Sequence, residues 1–259
     1  MKLGEMFNLS NKVAVVTGGS VGLGAQMAAG LAEAGANLVI AARKVDRCLN
    51  TCSELEKEYG VSTLPAACDV SKAEDCERLI NEAVGRFGRI DILVNNAGAT
   101  WGADSLDFPM DRWSRVIDIN LTGLYRLSML VARKMKEQGG GKIINITSLA
   151  GFMGTPPEIQ NTVPYNASKG AVITLTKDLA VKWARYGINV NAIAPGYFPT
   201  DMSSGLLKKT IDLVMPRIPL NRLGSDHDLK GAVVFLSSAA SDYITGQCLV
   251  VDGGMMAGG

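Results

Sequence analysis

Tyr165 and Lys169 lie four residues apart in the run Tyr165-Asn166-Ala167-Ser168-Lys169. On a helix that spacing puts a phenol and an ammonium on one face. A cation beside a phenol favours the phenolate and is expected to lower its pKa toward working pH. A tyrosine tuned in that way can give a proton to a carbonyl oxygen or take one from an alcohol. A solvated pair on any surface helix has the same spacing, so the surroundings must give the pair its meaning.

A second chemical feature lies near the N-terminus. Val13-Ala14-Val15-Val16-Thr17 is a short apolar, β-branched run that reads as a buried strand. Gly18-Gly19-Ser20-Val21-Gly22-Leu23-Gly24 follows, and then an apolar helical pattern over residues 25–34 closed by Gly35. Strand, glycine-rich loop and helix is the geometry that seats a pyrophosphate on a helix N-terminus. Gly18, Ser20, Gly22, Leu23 and Gly24 are its candidate contacts. The spacing Gly-x-x-x-Gly-x-Gly differs from the common Gly-x-Gly-x-x-Gly dinucleotide fingerprint.

The remaining elements must bring these two features together. Strands are predicted over 38–41, 62–67, 90–94, 142–147, 188–194 and 248–251, and helices over 44–59, 72–87, 111–137, 165–186 and 227–238. This alternation predicts an α/β fold: a doubly wound, seven-stranded parallel sheet with helices on both faces. A single Rossmann-fold domain over residues 1–259 is expected. Two segments break the alternation, 150–164 with its three prolines and 196–224, and loops of such length usually serve as lids or binding loops.

Further motifs, in order along nearly the whole chain, resemble the short-chain dehydrogenase/reductase family. Thr17-Gly18-x-x-x-Gly22-x-Gly24 is similar to its cofactor motif, and Asn95-Asn96-Ala97-Gly98 to the segment that follows its fourth strand. Asn120 in Asp118-Ile119-Asn120, Ser148 in Asn145-Ile146-Thr147-Ser148, Tyr165 and Lys169 match its catalytic tetrad. Pro195-Gly196 with Thr200 resembles the stretch that holds the nicotinamide amide, and Asp252-Gly253-Gly254 the C-terminal signature.

The resemblance implies hydride transfer between a nicotinamide cofactor and a carbonyl carbon, with the cofactor carrying the hard chemistry. Tyr165 is then general acid in reduction and base in oxidation. Ser148 donates to the substrate oxygen as a small oxyanion site. The resemblance also gives Lys169 the nicotinamide ribose, Asn120 a water relay, and Asp69 the adenine. Val70, Asn96 and Gly98 complete the implied cofactor contacts.

The cofactor type is legible after the second strand. An acid there binds the ribose 2′-hydroxyl of NAD, whereas an arginine accommodates a 2′-phosphate. The chain reads Ala41-Ala42-Arg43-Lys44. Ala42 stands where the acid is expected, and Arg43 can make a forked, charge-assisted contact to phosphate. Cations are mildly unfavourable at a helix N-terminus, so the basic pair asks for an anion. NADP(H) is therefore expected over NAD(H), although Val21 occupies the loop position where many NADP-dependent members carry a basic residue.

Composition narrows the classes. The chain has 259 residues, 47% of them hydrophobic, and a net charge of +1, so a large core is expected and nothing points to nucleic acid or an anionic membrane. No apolar run approaches the length of a membrane span, and the first residues, Met1-Lys2-Leu3-Gly4-Glu5, do not resemble a secretory signal. A cytoplasmic protein is expected. The five cysteines, Cys48, Cys52, Cys68, Cys76 and Cys248, lack the paired spacing of a metal site and read as packing residues. The lone His227 sits in a polar run, so no Ser-His-Asp triad and no metal site are expected.

The substrate is less legible. Ser148 and Tyr165 are seventeen residues apart, further than in many family members, and the added residues fall at the substrate mouth. Trp101, Met153, Tyr197, Phe198 and Met202 are expected to line an apolar pocket. The 3-oxoacyl-thioester reductases, including the type of rhamnolipid synthesis, look similar through Asn96-Ala97-Gly98-Ala99-Thr100-Trp101-Gly102. Arg126 stands where the acyl-carrier reductases have a docking arginine, but their second basic docking position falls on Tyr186. The gluconate 5-dehydrogenases look similar through Ala194-Pro195-Gly196-Tyr197-Phe198 and Asp252-Gly253-Gly254-Met255. A sugar acid would need a cation, with Lys208, Lys209, Arg217 and Arg222 as candidates. The thioester, carried on acyl-carrier protein or coenzyme A, is the first expectation and the sugar acid the alternative. A dinucleotide-binding regulator without turnover stands as the reading of another class. The apolar residues of 111–137 and 165–186, such as Leu130, Met135 and Trp183, exceed what one sheet face can cover. A homotetramer paired through these helices is expected, with a dimer as fallback.

Overall fold

Val13–Thr17 (β1) is buried along its whole length, and its side chains alternate between two cores. Val13 and Val15 enter one, Ala14 and Val16 the other. A strand covered on both faces needs such a continuous apolar run. In the computed structural model, which describes residues 2–258, β1 is central to a seven-stranded sheet. The other strands are β2 (Asn37–Ala42), β3 (Thr63–Ala67), β4 (Ile92–Asn95), β5 (Gly141–Ile146), β6 (Ile188–Pro195) and β7 (Cys248–Val251). Their order is β3-β2-β1-β4-β5-β6-β7, and every pairing is parallel.

After a four-residue helix α1 (Leu3–Met6), the helices divide between the two faces. α2 (Gly22–Glu33), α3 (Val45–Tyr59) and α9 (Lys230–Ser237) cover one face with Met27, Leu31, Cys48, Cys52, Leu55, Val233 and Leu236. α4 (Ala73–Phe87), α6 (Leu124–Gln138) and α7 (Val163–Trp183) cover the other with Leu79, Ile80, Leu127, Val131 and Leu179. The strand order reverses between β1 and β4, the point where ligands bind beyond the carboxyl ends of such sheets.

A buried amide ladder ties β4 and β5 to α6 and α7. Asn95 Nδ2 donates to Ser128 Oγ at 2.8 Å and to Asn145 Oδ1 at 2.9 Å. Asn145 Nδ2 donates to Thr176 Oγ1 at 3.0 Å. Every member is buried and bonded, so the ladder stiffens the strand ends that carry the site.

Several expectations are corrected. The helix expected over 111–137 is α5 (Met110–Ile117), a π-helical stretch at Asp118–Gly123, and α6. A side chain at Gly123 would strike the Val70 carbonyl, so the backbone there must run close to the turn after β3. Apolar periodicity does not register such a bulge. α7 starts at Val163 rather than 165, because Pro164 fits a first helical turn. The 196–224 excursion contains a helix of its own, α8 (Ser204–Val214). The last expected helix is shorter, and His227 is exposed before it. Met135 is not surplus surface. It is fully buried, while Leu130 and Trp183 pack partly against the same core. Among the described residues, no helix is long and apolar enough to cross a membrane.

Candidate active site

The glycine loop is built from β1 and β4 together. Thr17 Oγ1 accepts the N–H groups of Asn96 and Ala97, both at 3.1 Å. Asn96 Nδ2 donates to the carbonyls of Thr17 and Gly18 at 3.0 and 3.1 Å, and Gly18 N–H donates to Ala41 O at 2.7 Å. A Cβ on Gly24 would collide with the Gly18 carbonyl, and Gly22, at φ +56°, has Thr200 Cγ2 only 3.3 Å from where its Cβ would be. A side chain at Gly24 would meet backbone, and one at Gly22 would be strained by its positive φ. No side chain caps α2, so its first N–H groups are free for an anion. Gly18, Ser20, Gly22 and Leu23 line one wall of a cleft of about 1000 Å³. This cradle fits a dinucleotide pyrophosphate.

Arg43 and Lys44 follow β2 at one end of that cleft, both exposed. Arg43 makes no ion pair among the described residues, while Arg47 lies 3.9 Å from Asp201. Asp69 and Val70 line the same end. The Asp69 carboxylate accepts from Ser71 N–H and Oγ at 3.1 and 2.7 Å. Arg126 holds this turn from below, donating to the carbonyls of Val70 and Ser71 at 3.3 and 3.0 Å. One nitrogen of its guanidinium, Nη1, makes both bonds.

At the other end, the cleft is lined by Gly98, Ser148, Tyr165, Lys169, Pro195, Gly196 and Thr200. Lys169 is buried and donates to Ile146 O at 2.8 Å, and its Nζ lies 5.6 Å from the Tyr165 ring centroid. Burial pushes its pKa down to about 8. Burial also raises the Tyr165 phenol above its ordinary value, with Ser148 opposing. The expectation that Lys169 lowers the phenol's pKa is therefore corrected. The ammonium points at a carbonyl and the ring face, and removal from water disfavours both charged forms, ammonium and phenolate. A neutral phenol beside the Ser148 hydroxyl is a proton donor at neutral pH.

Asn120 is completely buried in the π-helical stretch. Its Oδ1 accepts from Ala99 N at 2.8 Å, and its Nδ2 donates to Ala99 O at 2.9 Å and Ser168 Oγ at 3.0 Å. Ser168 Oγ donates to Tyr165 O at 2.8 Å, and Thr147 Oγ1 to Lys169 O at 2.8 Å. The amide of Asn120 is thus consumed in joining the 98–100 loop to α7. Ser168 and Thr147 were missed as positioning residues, and no spacing rule marks them.

Trp101, Tyr197, Phe198 and Met202 line the large cleft as expected, whereas Met153 and Tyr197 line a smaller recess beyond Ser148. Cys48, Cys52, Cys68 and Cys76 are buried. Of the four lid cations, only Arg217 lines the recess. Lys208 and Lys209 are exposed on α8, and Arg222 is forked onto Asp228 at 2.6 and 2.9 Å.

The sheet, its reversal point and the glycine cradle define a dinucleotide-binding α/β protein with a half-buried tyrosine and a buried lysine in the cleft wall. The chain belongs to the short-chain dehydrogenase/reductase family, and residues 18–256 match a family model described as Enoyl-(Acyl carrier protein) reductase. It is 42% identical over 257 residues to a 2-dehydro-3-deoxy-D-gluconate 5-dehydrogenase of Dickeya dadantii, covering 97% of this chain and 98% of that one. It is 40% identical over 246 residues to the 3-oxoacyl-(acyl-carrier-protein) reductase FabG of Staphylococcus epidermidis, covering 95% and 99%. Among solved structures, a gluconate 5-dehydrogenase from Burkholderia cenocepacia in complex with NADP and tartrate superposes with a TM-score of 0.93. It is 40% identical, with 99% of each chain covered.

Proposed function

We propose that this chain interconverts a ketone and a secondary alcohol with NADP(H), and that its substrate is a small keto or hydroxy acid of the sugar-acid class. The Tyr165 phenol carries the reaction: kept protonated by burial and set beside Ser148 at the end of the cleft, it can protonate a carbonyl oxygen as negative charge develops. The bound nicotinamide supplies or accepts the hydride. Ser148 steadies the substrate oxygen. Lys169 binds the nicotinamide ribose and, when charged, returns the phenol's proton. Asn120 holds the 98–100 loop against α7, leaving its backbone to a water relay. Gly18, Ser20, Gly22, Leu23 and Gly24 take the pyrophosphate side and Arg43 the 2′-phosphate. Asp69 and Val70 take the adenine, Asn96 and Gly98 the adjoining ribose, and Pro195, Gly196 and Thr200 the nicotinamide amide.

The sugar-acid class is supported by the names of two relatives and by the tartrate bound in one of them. The first expectation, a 3-oxoacyl thioester, is kept as a second reading on the strength of the FabG relative. The arginine expected to dock an acyl carrier, Arg126, is half-buried and gives one nitrogen, Nη1, to the carbonyls of Val70 and Ser71. The test is NADPH oxidation with 5-keto-D-gluconate, D-fructose and acetoacetyl-coenzyme A. Preference for the keto acid is expected. Preference for the thioester defeats the class, and absence of turnover with every ketone leaves the regulator.

A homotetramer paired through α5–α6 and α7 is proposed with it. Tyr125 and Val181 remain exposed on these helices, although Met135 no longer contributes. Light scattering at micromolar concentration should give four chains, or two as the fallback, and an active monomer refutes both.

A further inference from the structure

The recess beyond Ser148 lies where the proposed nicotinamide contacts Pro195 and Gly196 meet residues that have no cofactor role here, among them Met153, Thr155 and Arg217. It shares Ser148, Gln160, Pro195, Gly196 and Tyr197 with the large cleft. Its volume of about 50 Å³ has room for a few water-sized groups. Among the described residues, Arg217 is the one charged side chain in its wall.

We propose that Arg217 is the carboxylate anchor of this site, gripping the acid end of a small keto or hydroxy acid while the carbonyl lies between Ser148 and Tyr165. The inference rests on the oxidoreductase reading above and names the residue that sets its substrate class. A planar guanidinium offers a fork that matches a carboxylate.

Arg217 is free for this work. Among the described residues it has no ion-pair partner and no hydrogen bond to a side chain, unlike Arg222, whose two terminal nitrogens are taken by Asp228. Burial raises the Tyr197 phenol above its ordinary value, and the nearby Arg217 charge opposes that rise. The Arg217 backbone is held in place although its side chain is exposed. Arg217 ends the short 3-10 turn Met215–Arg217, between the buried Val214 and Ile218. Both pack with Leu149 and Met255 in a separate small core, and Leu149 is the residue after Ser148. The cation and the serine hydroxyl are thus fixed to the same cluster.

The remaining wall suits a short polyhydroxy acid. Thr155 and Gln160 supply hydroxyl and amide groups, and Gln160 Nε2 already donates to Thr162 Oγ1 at 2.7 Å, leaving its carbonyl oxygen to accept from substrate hydroxyls. A long acyl chain gains nothing from an unpaired guanidinium here.

The test uses the holoenzyme at saturating NADPH, with 5-keto-D-gluconate and the neutral ketose D-fructose as paired substrates. In Arg217→Met, kcat/KM for the keto acid relative to the ketose should fall about ten- to a hundredfold, the loss of a charge-assisted pair, and mainly through KM. Arg217→Lys should recover part of the ratio, since it keeps the charge and loses the fork. Lys208→Gln and Lys209→Gln should leave the ratio unchanged. Competitive inhibition by tartrate should weaken in Arg217→Met by a similar factor. NADPH titration by fluorescence shows whether each variant is folded, and if Arg217→Met is not, the partial loss in Arg217→Lys carries the test. If wild type reduces the keto acid and the ratio is unchanged in both variants, the anchor is wrong and the sugar-acid class survives. If wild type reduces acetoacetyl-coenzyme A and no keto acid, the class and the anchor fall together.

Discussion

Replacing Arg43 by Ala should separate the two nicotinamide cofactors. Gly18 N–H bonds to Ala41 O, so the glycine loop is tied to the end of β2, and Arg43 lies two residues beyond that tie. Its side chain is exposed and faces the cleft without an ion-pair partner among the described residues. The two acids nearby are engaged or distant: Asp69 accepts from Ser71, and Asp201 lies 3.9 Å from Arg47. A 2′-phosphate entering here gains a charge-assisted contact that nothing in the free protein competes for. Such contacts contribute about 1.5–3 kcal/mol, and the exposure of Arg43 argues for the lower half of that range. The kcat/KM for NADPH should therefore fall about ten- to fortyfold, while that for NADH, which lacks the phosphate, changes less than about twofold. Initial rates with both cofactors at one fixed ketone concentration measure this. Salt provides an independent check. The screening length shrinks from about 30 Å at 0.01 M to about 8 Å at 0.15 M, so wild-type KM for NADPH should climb with salt more steeply than that of Arg43→Ala. Equal losses for the two cofactors would mean that Arg43 is merely solvated, and a wild type that prefers NADH would refute the cofactor assignment outright.

Tyr165→Phe should abolish turnover while NADPH affinity, read by fluorescence, stays near wild type, and a variant with wild-type kcat would remove the phenol from the mechanism. Lys169→Met should flatten a pH effect on the stability of the cofactor-free protein. Burial lowers the Lys169 pKa from 10.5 to about 8, so below pH 8 folded and unfolded chains both hold the proton. Between these values only the unfolded chain holds it, and stability rises with pH. The rise amounts to at most about 3 kcal/mol, and a wild-type-minus-variant difference that is flat from pH 8 to 10.5 in urea titrations refutes the assignment. Gly24→Ala should cost about 1–3 kcal/mol of stability and most NADPH binding, because its Cβ meets the Gly18 backbone. Unchanged melting and titration curves would show that the loop gives way.

The sequence by itself determined the architecture and singled out the groups proposed to react. β1 is legible because a strand covered on both faces must be apolar at every position, and Gly24 because only a residue without Cβ fits against the Gly18 carbonyl. Tyr165 and Lys169 are legible because helical spacing is a local property. The direction of their pKa shifts was not, since burial is set by elements far apart in the chain: α7 buries both groups against β5, where Ile146 O receives the ammonium. The π-helical stretch around Asn120 also escaped apolar periodicity, because it answers to the Val70 backbone more than fifty residues away. The sequence offered four lid cations for an acidic substrate and no means of choosing among them. Only the tertiary structure distinguishes them, by pairing Arg222 with Asp228, leaving Lys208 and Lys209 in solvent, and fastening Val214 and Ile218 into the cluster that holds Leu149, and the proposed role of Arg217 rests on that distinction. Charge is a property of a residue, but whether that charge is free and what it faces depend on which segments pack together.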